Sequence, residues 1–187
     1  MHIILIFLSI SAVVAFLLHL AVKKSHNMKP GNLEIERKFL VDPDKLPITL
    51  KTKSKFIKQG YLTHDTDNTV RVRMADDKSL MTIKSKSTED GLSRTEIEFG
   101  ISHSHAFELL SMCKGDLIEK RRYFITYKKQ TFEVDVFEGV NKGLIMAEIE
   151  LTSLDQQVDL PEWITKEITG DKRYYNRWLS NNPFKNW

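Results

Sequence analysis

The chain has a single cysteine in 187 residues. Cys113 has no partner for an internal disulfide and lacks the paired spacing of a zinc site, so neither a disulfide framework nor a thiolate-held metal is built here, which is compatible with a reducing compartment. Repeats of solenoid length and low-complexity tracts are missing as well. So is a one-sided charge: 28 basic against 25 acidic residues leave a formal net charge of +3, and nothing in that balance points to a nucleic-acid partner. His64, His103 and His105 do not recur at a ligand spacing, so solvent exposure is their expected state.

Charge is wholly lacking from one stretch. Residues 3–22 contain no Lys, Arg, Asp or Glu and are rich in Ile, Leu, Val and Phe. That is enough helix to cross about 30 Å of hydrocarbon, and it predicts one transmembrane helix over 1–22. A cleaved signal peptide competes with this reading, but no basic segment precedes the run and no small-x-small cleavage site follows it cleanly. Lys23, Lys24 and Lys29 follow the run, so the positive-inside rule predicts a single-pass membrane protein with its folded part in the cytoplasm. Residues 23–32, with Pro30 and Gly31, read as a linker. What remains has the size of one domain with its own core, and no second folded domain is expected.

That remainder reads as mainly β. Alternating segments at 33–41, 55–62, 69–75, 79–85, 92–100, 117–128, 131–138 and 144–151 predict eight strands. Short connections such as Asp90-Gly91 and Asn141-Lys142-Gly143 predict antiparallel neighbours. Helices are expected at 102–112, capped by Ser102 with Phe107 and Leu110 buried, and at 171–179. Lys51, Lys53, Lys55 and Lys58 read as a solvated basic face, with anionic lipid near the anchor as the alternative. Trp163, Trp178 and Trp187 are expected to cover barrel ends and the helix interface.

The residues that alternate carry the functional signal. Glu34, Glu36 and Lys38 share one strand face, because successive side chains point to opposite sides. Arg71 with Arg73, Lys84 with Lys86, Arg94 with Glu96 and Glu98, Lys120 with Arg122, Glu133 with Asp135, and Glu148 with Glu150 repeat the pattern. A sheet with one wet face also alternates apolar with polar, and for any one strand that reading is sufficient. Seven strands with paired ionic residues suit a different architecture, an eight-stranded antiparallel barrel whose lumen carries both signs. A lumen of that kind is costly in solvation unless a polyanion and divalent cations share it. Glu34, Glu36, Asp135, Glu148 and Glu150 suit the hard ions Mg²⁺ or Mn²⁺, and Arg71, Arg73, Lys84, Lys120 and Arg122 suit phosphate oxygens.

These stretches together resemble the CYTH superfamily, also called triphosphate tunnel metalloenzymes. The resemblance runs through Glu34-Ile35-Glu36-Arg37-Lys38, Gln59-Gly60-Tyr61-Leu62, Arg71-x-Arg73, Thr82-x-Lys84, Gly91-Leu92-Ser93-Arg94-x-Glu96, Glu119-Lys120-x-Arg122, Val134-Asp135-Val136-Phe137, Ala147-Glu148-Ile149-Glu150 and Asp171-Lys172-x-Tyr174. It implies a tunnel domain over 33–180, followed by a tail at 181–187, with flanking helices and two divalent ions near the five carboxylates. It also implies Lys38, Arg71, Arg73, Lys84, Arg94, Lys120, Arg122 and Lys172 on the triphosphate. Glu34, Glu36 and Lys38 would take part in the chemistry. Glu96 and Glu98 would orient a water or pair with the basic wall, and Tyr61 would touch phosphate or be a satisfied buried hydroxyl. Similar compact members hydrolyse inorganic triphosphate to pyrophosphate and phosphate. Adenylyl cyclase, thiamine triphosphatase, a membrane polyphosphate enzyme and a non-catalytic triphosphate or polyphosphate sensor stay open as alternatives. Dimerisation is a habit of the family.

Overall fold

The computed structural model describes residues 35–63, 68–76, 78–85, 96–153 and 155–187. Nine strands lie among them: β1 Ile35–Val41, β2 Ser54–Tyr61, β3 Thr69–Ala75, β4 Ser79–Lys84, β5 Glu96–Ile101, β6 Lys114–Tyr127, β7 Gln130–Phe137, β8 Ile145–Leu151 and β9 Ile164–Glu167. They form one antiparallel sheet in the order β5-β4-β3-β2-β6-β7-β8-β1-β9. Helix α1 is His103–Ser111 and α2 is Asn176–Leu179.

Three expectations are corrected. The sheet has nine strands, and its pairing among the described residues runs from β5 to β9 without a closing rung, in place of a closed eight-stranded barrel. β9 is only four residues long, too short for alternation to reveal, and it is a strand because it pairs with β1. The membrane span and the membrane location drawn from it are also overturned: among the described residues, no helix is long and apolar enough to cross a membrane. The longest, α1, has nine residues, roughly 14 Å of rise against about 30 Å of hydrocarbon. Residues 1–34, on which that expectation was placed, lie outside the described residues. Finally, the helix expected at 171–179 is broken. Asp171 caps a 3-10 turn at Lys172–Tyr174 by accepting from the Arg173 backbone N–H, and Tyr175, at φ −77° and ψ 132°, is extended before α2 begins.

Alternation sends each strand's apolar residues to one side. Phe39, Val41, Ile125, Phe132, Val134, Ala147, Ile149 and Trp163 form the largest core, covered by Leu46, Ile48 and Val158 from the connecting loops. Trp163 meets Phe132 edge-on at 5.2 Å, so it is a core residue. The opposite face of β1, β6, β7 and β8 is ionic for part of its length and then turns apolar. Along these strands Lys38 gives way to Leu40, Lys120 to Ile118, Asp135 to Phe137 and Glu148 to Met146. These apolar residues pack with Ile168, Tyr174, Leu179 and Phe184 of the C-terminal segment into a dry floor. Trp187 completes its cover through ring contacts with Tyr174, Trp178 and Phe184.

Helix α1 begins as expected at Ser102, whose hydroxyl accepts from the His105 backbone N–H at 3.1 Å. It packs Ala106 and Leu110 against Val72 of β3. Phe107, expected in the buried face, is 70% exposed, because the i, i+4 pair Ala106 and Leu110 already defines the side that meets the sheet. Gly60 lets the end of this layer approach β2. A Cβ there would lie 2.6 Å from Cys113 Sγ and 2.7 Å from Leu117 Cδ2, so the close approach demands glycine between Gln59 and Tyr61.

Candidate active site

Register brings charges of both signs together on the ionic face. Lys38 of β1 lies directly opposite Glu148 of β8, and Glu36 opposite Glu150. Glu133 of β7 faces Glu148 from the other side, and Arg122 of β6 faces Asp135. Lys38 Nζ bridges Glu148 and, at 2.9 Å, Glu36. Arg122 is the hub: its Nε and Nη2 donate to the two Asp135 oxygens at 2.7 Å each, Nη2 donates to Glu148 at 2.7 Å, and Nη1 donates to Glu133. Lys120 donates to Asp135, and neither side chain of this pair is exposed at all.

Burial and charge act against each other here. Burial alone would raise the Asp135 and Glu148 carboxyls. Lys120 and Arg122 around the first, and Lys38 and Arg122 around the second, hold both below the ordinary carboxylate range. Lys38 stays above its ordinary value because Glu148 and Glu36 outweigh its burial. Lys120 shares the Asp135 carboxylate with Arg122, and burial pushes it down to about 8. Glu133 is raised, by burial first and then by its carboxylate neighbours against the pull of Arg122.

A second ionic group lies across β3, β4 and β5. Lys84 is directly opposite Glu96 and pairs with it, and Arg71 Nη2 lies 3.7 Å from the same carboxylate. Arg71 also donates to Thr82 Oγ1 at 3.2 Å, and Thr82 donates to Glu98 at 3.3 Å. Arg71 Nε is buried and makes no hydrogen bond among the described residues. Between the two groups stands Arg73, opposite Gln59 of β2. Its Nε donates to Gln59 Oε1 at 3.3 Å, a neutral acceptor. Withdrawal from water, with Arg71 and Arg122 adding like-charge repulsion, pushes Arg73 down to about 10.

Most residues singled out from the sequence are therefore brought to one face. Glu36, Lys38, Lys84, Glu96, Lys120, Arg122, Asp135 and Glu148 are in ion pairs there. Tyr61 is buried opposite Arg71. Glu98 and Glu150 are exposed ends of the same pattern, and Lys172 is exposed on its 3-10 turn. Glu34 and Arg94 lie outside the described residues. Among the described residues no three carboxylate, histidine or cysteine side chains are gathered as a metal site, Asp135 and Glu148 being turned toward cations.

Three residues that the sequence reading noticed were given no role in the site. Glu133 lies two positions before Asp135 on the same face, and it joins Glu150 along a cleft of about 300 Å³ with Thr131, Ile149 and Gln156. Lys55 sits opposite Arg122 and is half-buried, so it belongs to the ionic face and not to the expected solvated run; its parity with Gln59 and Tyr61 was the available signal. Gln59 is fully buried between charged neighbours, a role that only the β2–β3 register reveals.

A family model described as the CYTH domain matches residues 32–175. The chain belongs to the CYTH family. Two curated proteins are similar to it, and the chain covers nearly all of each. The inorganic triphosphatase of Acetivibrio thermocellus is 43% identical over 155 residues, 82% of this chain and 97% of that protein. The inorganic triphosphatase of Nitrosomonas europaea is 39% identical over 153 residues, 79% of this chain and 96% of that protein. A crystal structure of an inorganic triphosphatase, 34% identical, superposes with a TM-score of 0.61 over 81% of this chain and 97% of that one. The CYTH match begins at residue 32, so the apolar stretch 3–22 is no part of the shared unit.

Proposed function

We propose that the chain hydrolyses inorganic triphosphate to pyrophosphate and phosphate on the ionic face of its sheet. The observation that carries the reading is Arg73: a half-buried guanidinium, flanked by arginines and met by a neutral amide, is a positive site that a polyanion would neutralise. Relatives named inorganic triphosphatase, matched over nearly their whole length, support it.

In this reading Arg71, Arg73 and Lys84 grip the phosphate chain from β3 and β4, and Lys38, Lys120 and Arg122 from β1 and β6, with Lys55 beside Arg122. Lys172 and Arg94 join the grip only as the family resemblance implies. A water oxygen bonds to a terminal phosphorus, the bridging P–O bond breaks, and pyrophosphate leaves with the electron pair. Glu133, raised by burial, is shifted in the direction required of a group that takes a proton from water. Glu36 opposite Glu150, and Glu133 opposite Glu148, are like-charged pairs that destabilise the sheet when unscreened. Their oxygens fit Mg²⁺ or Mn²⁺, with Asp135 beside them and Glu34 preceding them in the sequence. A divalent ion bound there supplies charge neutralisation and Lewis acidity.

The test is phosphate release by the full chain from inorganic triphosphate, ATP, thiamine triphosphate and pyrophosphate, each with Mg²⁺, Mn²⁺ or a chelator. Preference for inorganic triphosphate, lost in chelator, is expected. Failure to turn over any triphosphate would overturn the reading, and cyclic AMP formed from ATP would replace it with a cyclase.

A further inference from the structure

Thr82 and Lys84 lie on the same face of β4, and each stands between partners on β3 and β5. Lys84 is opposite Glu96 of β5 and pairs with it directly. One step along the strand face, Thr82 is opposite Arg71 of β3 on one side and Glu98 of β5 on the other, so a hydroxyl is interposed between cation and carboxylate. Arg71 Nη2 donates to Thr82 Oγ1 at 3.2 Å, and Thr82 Oγ1 donates to Glu98 Oε2 at 3.3 Å. The threonine is fully buried, whereas Glu98 is exposed.

Donor and acceptor capacity fixes the direction of this chain. Guanidinium only donates and a carboxylate only accepts, so the hydroxyl hydrogen points to Glu98 and a lone pair to Arg71. Branching at Cβ restricts χ1 of Thr82, which holds the oxygen at that spot. A hydroxyl that donates to a carboxylate is also a better acceptor, because chained hydrogen bonds polarise one another. Glu98 thus acts on Arg71 at one remove. We propose that Thr82 is a positioning residue for triphosphate: its hydroxyl aims the Arg71 guanidinium at the substrate and keeps it from collapsing onto a carboxylate.

The alternative partner is close by. Glu96, already paired with Lys84, lies 3.7 Å from the same Arg71 Nη2 that Thr82 holds. Arg71 Nε makes no hydrogen bond among the described residues, so the grip on Nη2 carries more of the aim. Without the Thr82 hydroxyl, Nη2 would lose its neutral acceptor, and attraction to Glu96 would draw the guanidinium toward that carboxylate. Less of its charge would then face an anion.

The proposal rests on triphosphate being the substrate, and the experiment separates the two. Full-chain wild type, Thr82→Val, Thr82→Ser, Arg71→Ala and the double variant with Thr82→Val and Arg71→Ala are compared. KM and kcat are measured with inorganic triphosphate, binding of inorganic triphosphate by calorimetry in chelator, and melting temperature alongside. Thr82→Val should raise KM and weaken binding roughly three- to tenfold, the worth of one hydrogen bond, with kcat changed less than about twofold. Thr82→Ser keeps the hydroxyl and should restore both toward wild type. In Arg71→Ala the valine should have no further effect, because the group it aims is gone. A wild type that neither binds nor hydrolyses triphosphate refutes the functional reading. An active wild type with unchanged KM and binding in Thr82→Val refutes the role of Thr82, as does a Thr82→Ser variant equally impaired or strict additivity with Arg71→Ala. If Thr82→Val does not fold, the exposed Glu98 takes its place. Glu98→Ala should then raise KM in wild type and leave it unchanged in Arg71→Ala, and a fall in kcat alone, or additive effects, overturns the proposal.

Discussion

Arg73 and Arg122 carry the same side chain on the same face and meet different partners. Arg122 donates to Asp135, Glu148 and Glu133, so its guanidinium also organises carboxylates. Arg73 has an amide oxygen at 3.3 Å and like charges nearby, so its charge is available to a ligand. Arg73→Ala should therefore raise KM for triphosphate by roughly 10- to 100-fold, the worth of one charge-assisted contact, with the melting temperature of the protein retained. Steady-state kinetics alongside a thermal melt would check this. The charges themselves were legible because Arg71-x-Arg73, Lys120-x-Arg122 and Glu148-x-Glu150 alternate at the strand period. Their partners were not. Whether an arginine meets Gln59 or Asp135 is decided by which residue lies opposite on the neighbouring strand, and alternation within one strand contains no register.

At the scale of elements, the connection between β6 and β7 shows local chemistry overruled by its surroundings. Tyr127 pairs with Gln130, so Lys128 and Lys129 form a two-residue hairpin turn, with φ of 46° and 67°. That left-handed conformation favours Asn-Gly, and lysine adopts it only under constraint. Replacing Lys128-Lys129 with Asn-Gly should stabilise the protein by about 1–2 kcal/mol, even though the exposed Lys128–Asp159 pair is lost. A rightward shift of the urea midpoint would show it, and an unchanged or lower midpoint would count against the argument. The turn itself was readable from sequence at this place, as were β1 to β8 in outline. β9 and the break at Tyr175 were not, because a four-residue strand exists through its partner and the extended Tyr175 follows a capped 3-10 turn.

For the whole molecule, the buried carboxylates set the acid limit. Asp135 and Glu148 have folded pKa values below their ordinary values of 3.8 and 4.5. The unfolded chain therefore binds more protons than the folded one in acid, and stability falls as pH falls. The contribution is complete above those ordinary values and is lost progressively as pH drops toward the lower folded ones. Urea midpoints should hold steady from pH 7 to about 5 and then decline, with a shallower decline in Asp135→Asn, though from a lower starting stability because Lys120 is left unpaired. The overall reading from sequence was right about an antiparallel sheet with one ionic face. It missed the ninth strand and the order in which pairing ends at β5 and β9 among the described residues, since strand spacing does not say which edges meet, and the span expected over 3–22 lies outside the described residues.

β1 pairs with β8 on one side and β9 on the other, although more than a hundred residues separate them in the chain. Lys38 therefore has no Glu148 to hold until translation has passed that residue, and no amino-terminal fragment ending short of β8 can assemble the machinery. A half-made chain on the ribosome thus lacks the cross-strand partners of Lys38, and joining segments so distant in sequence adds a loop-closure cost that slows completion of the ionic face.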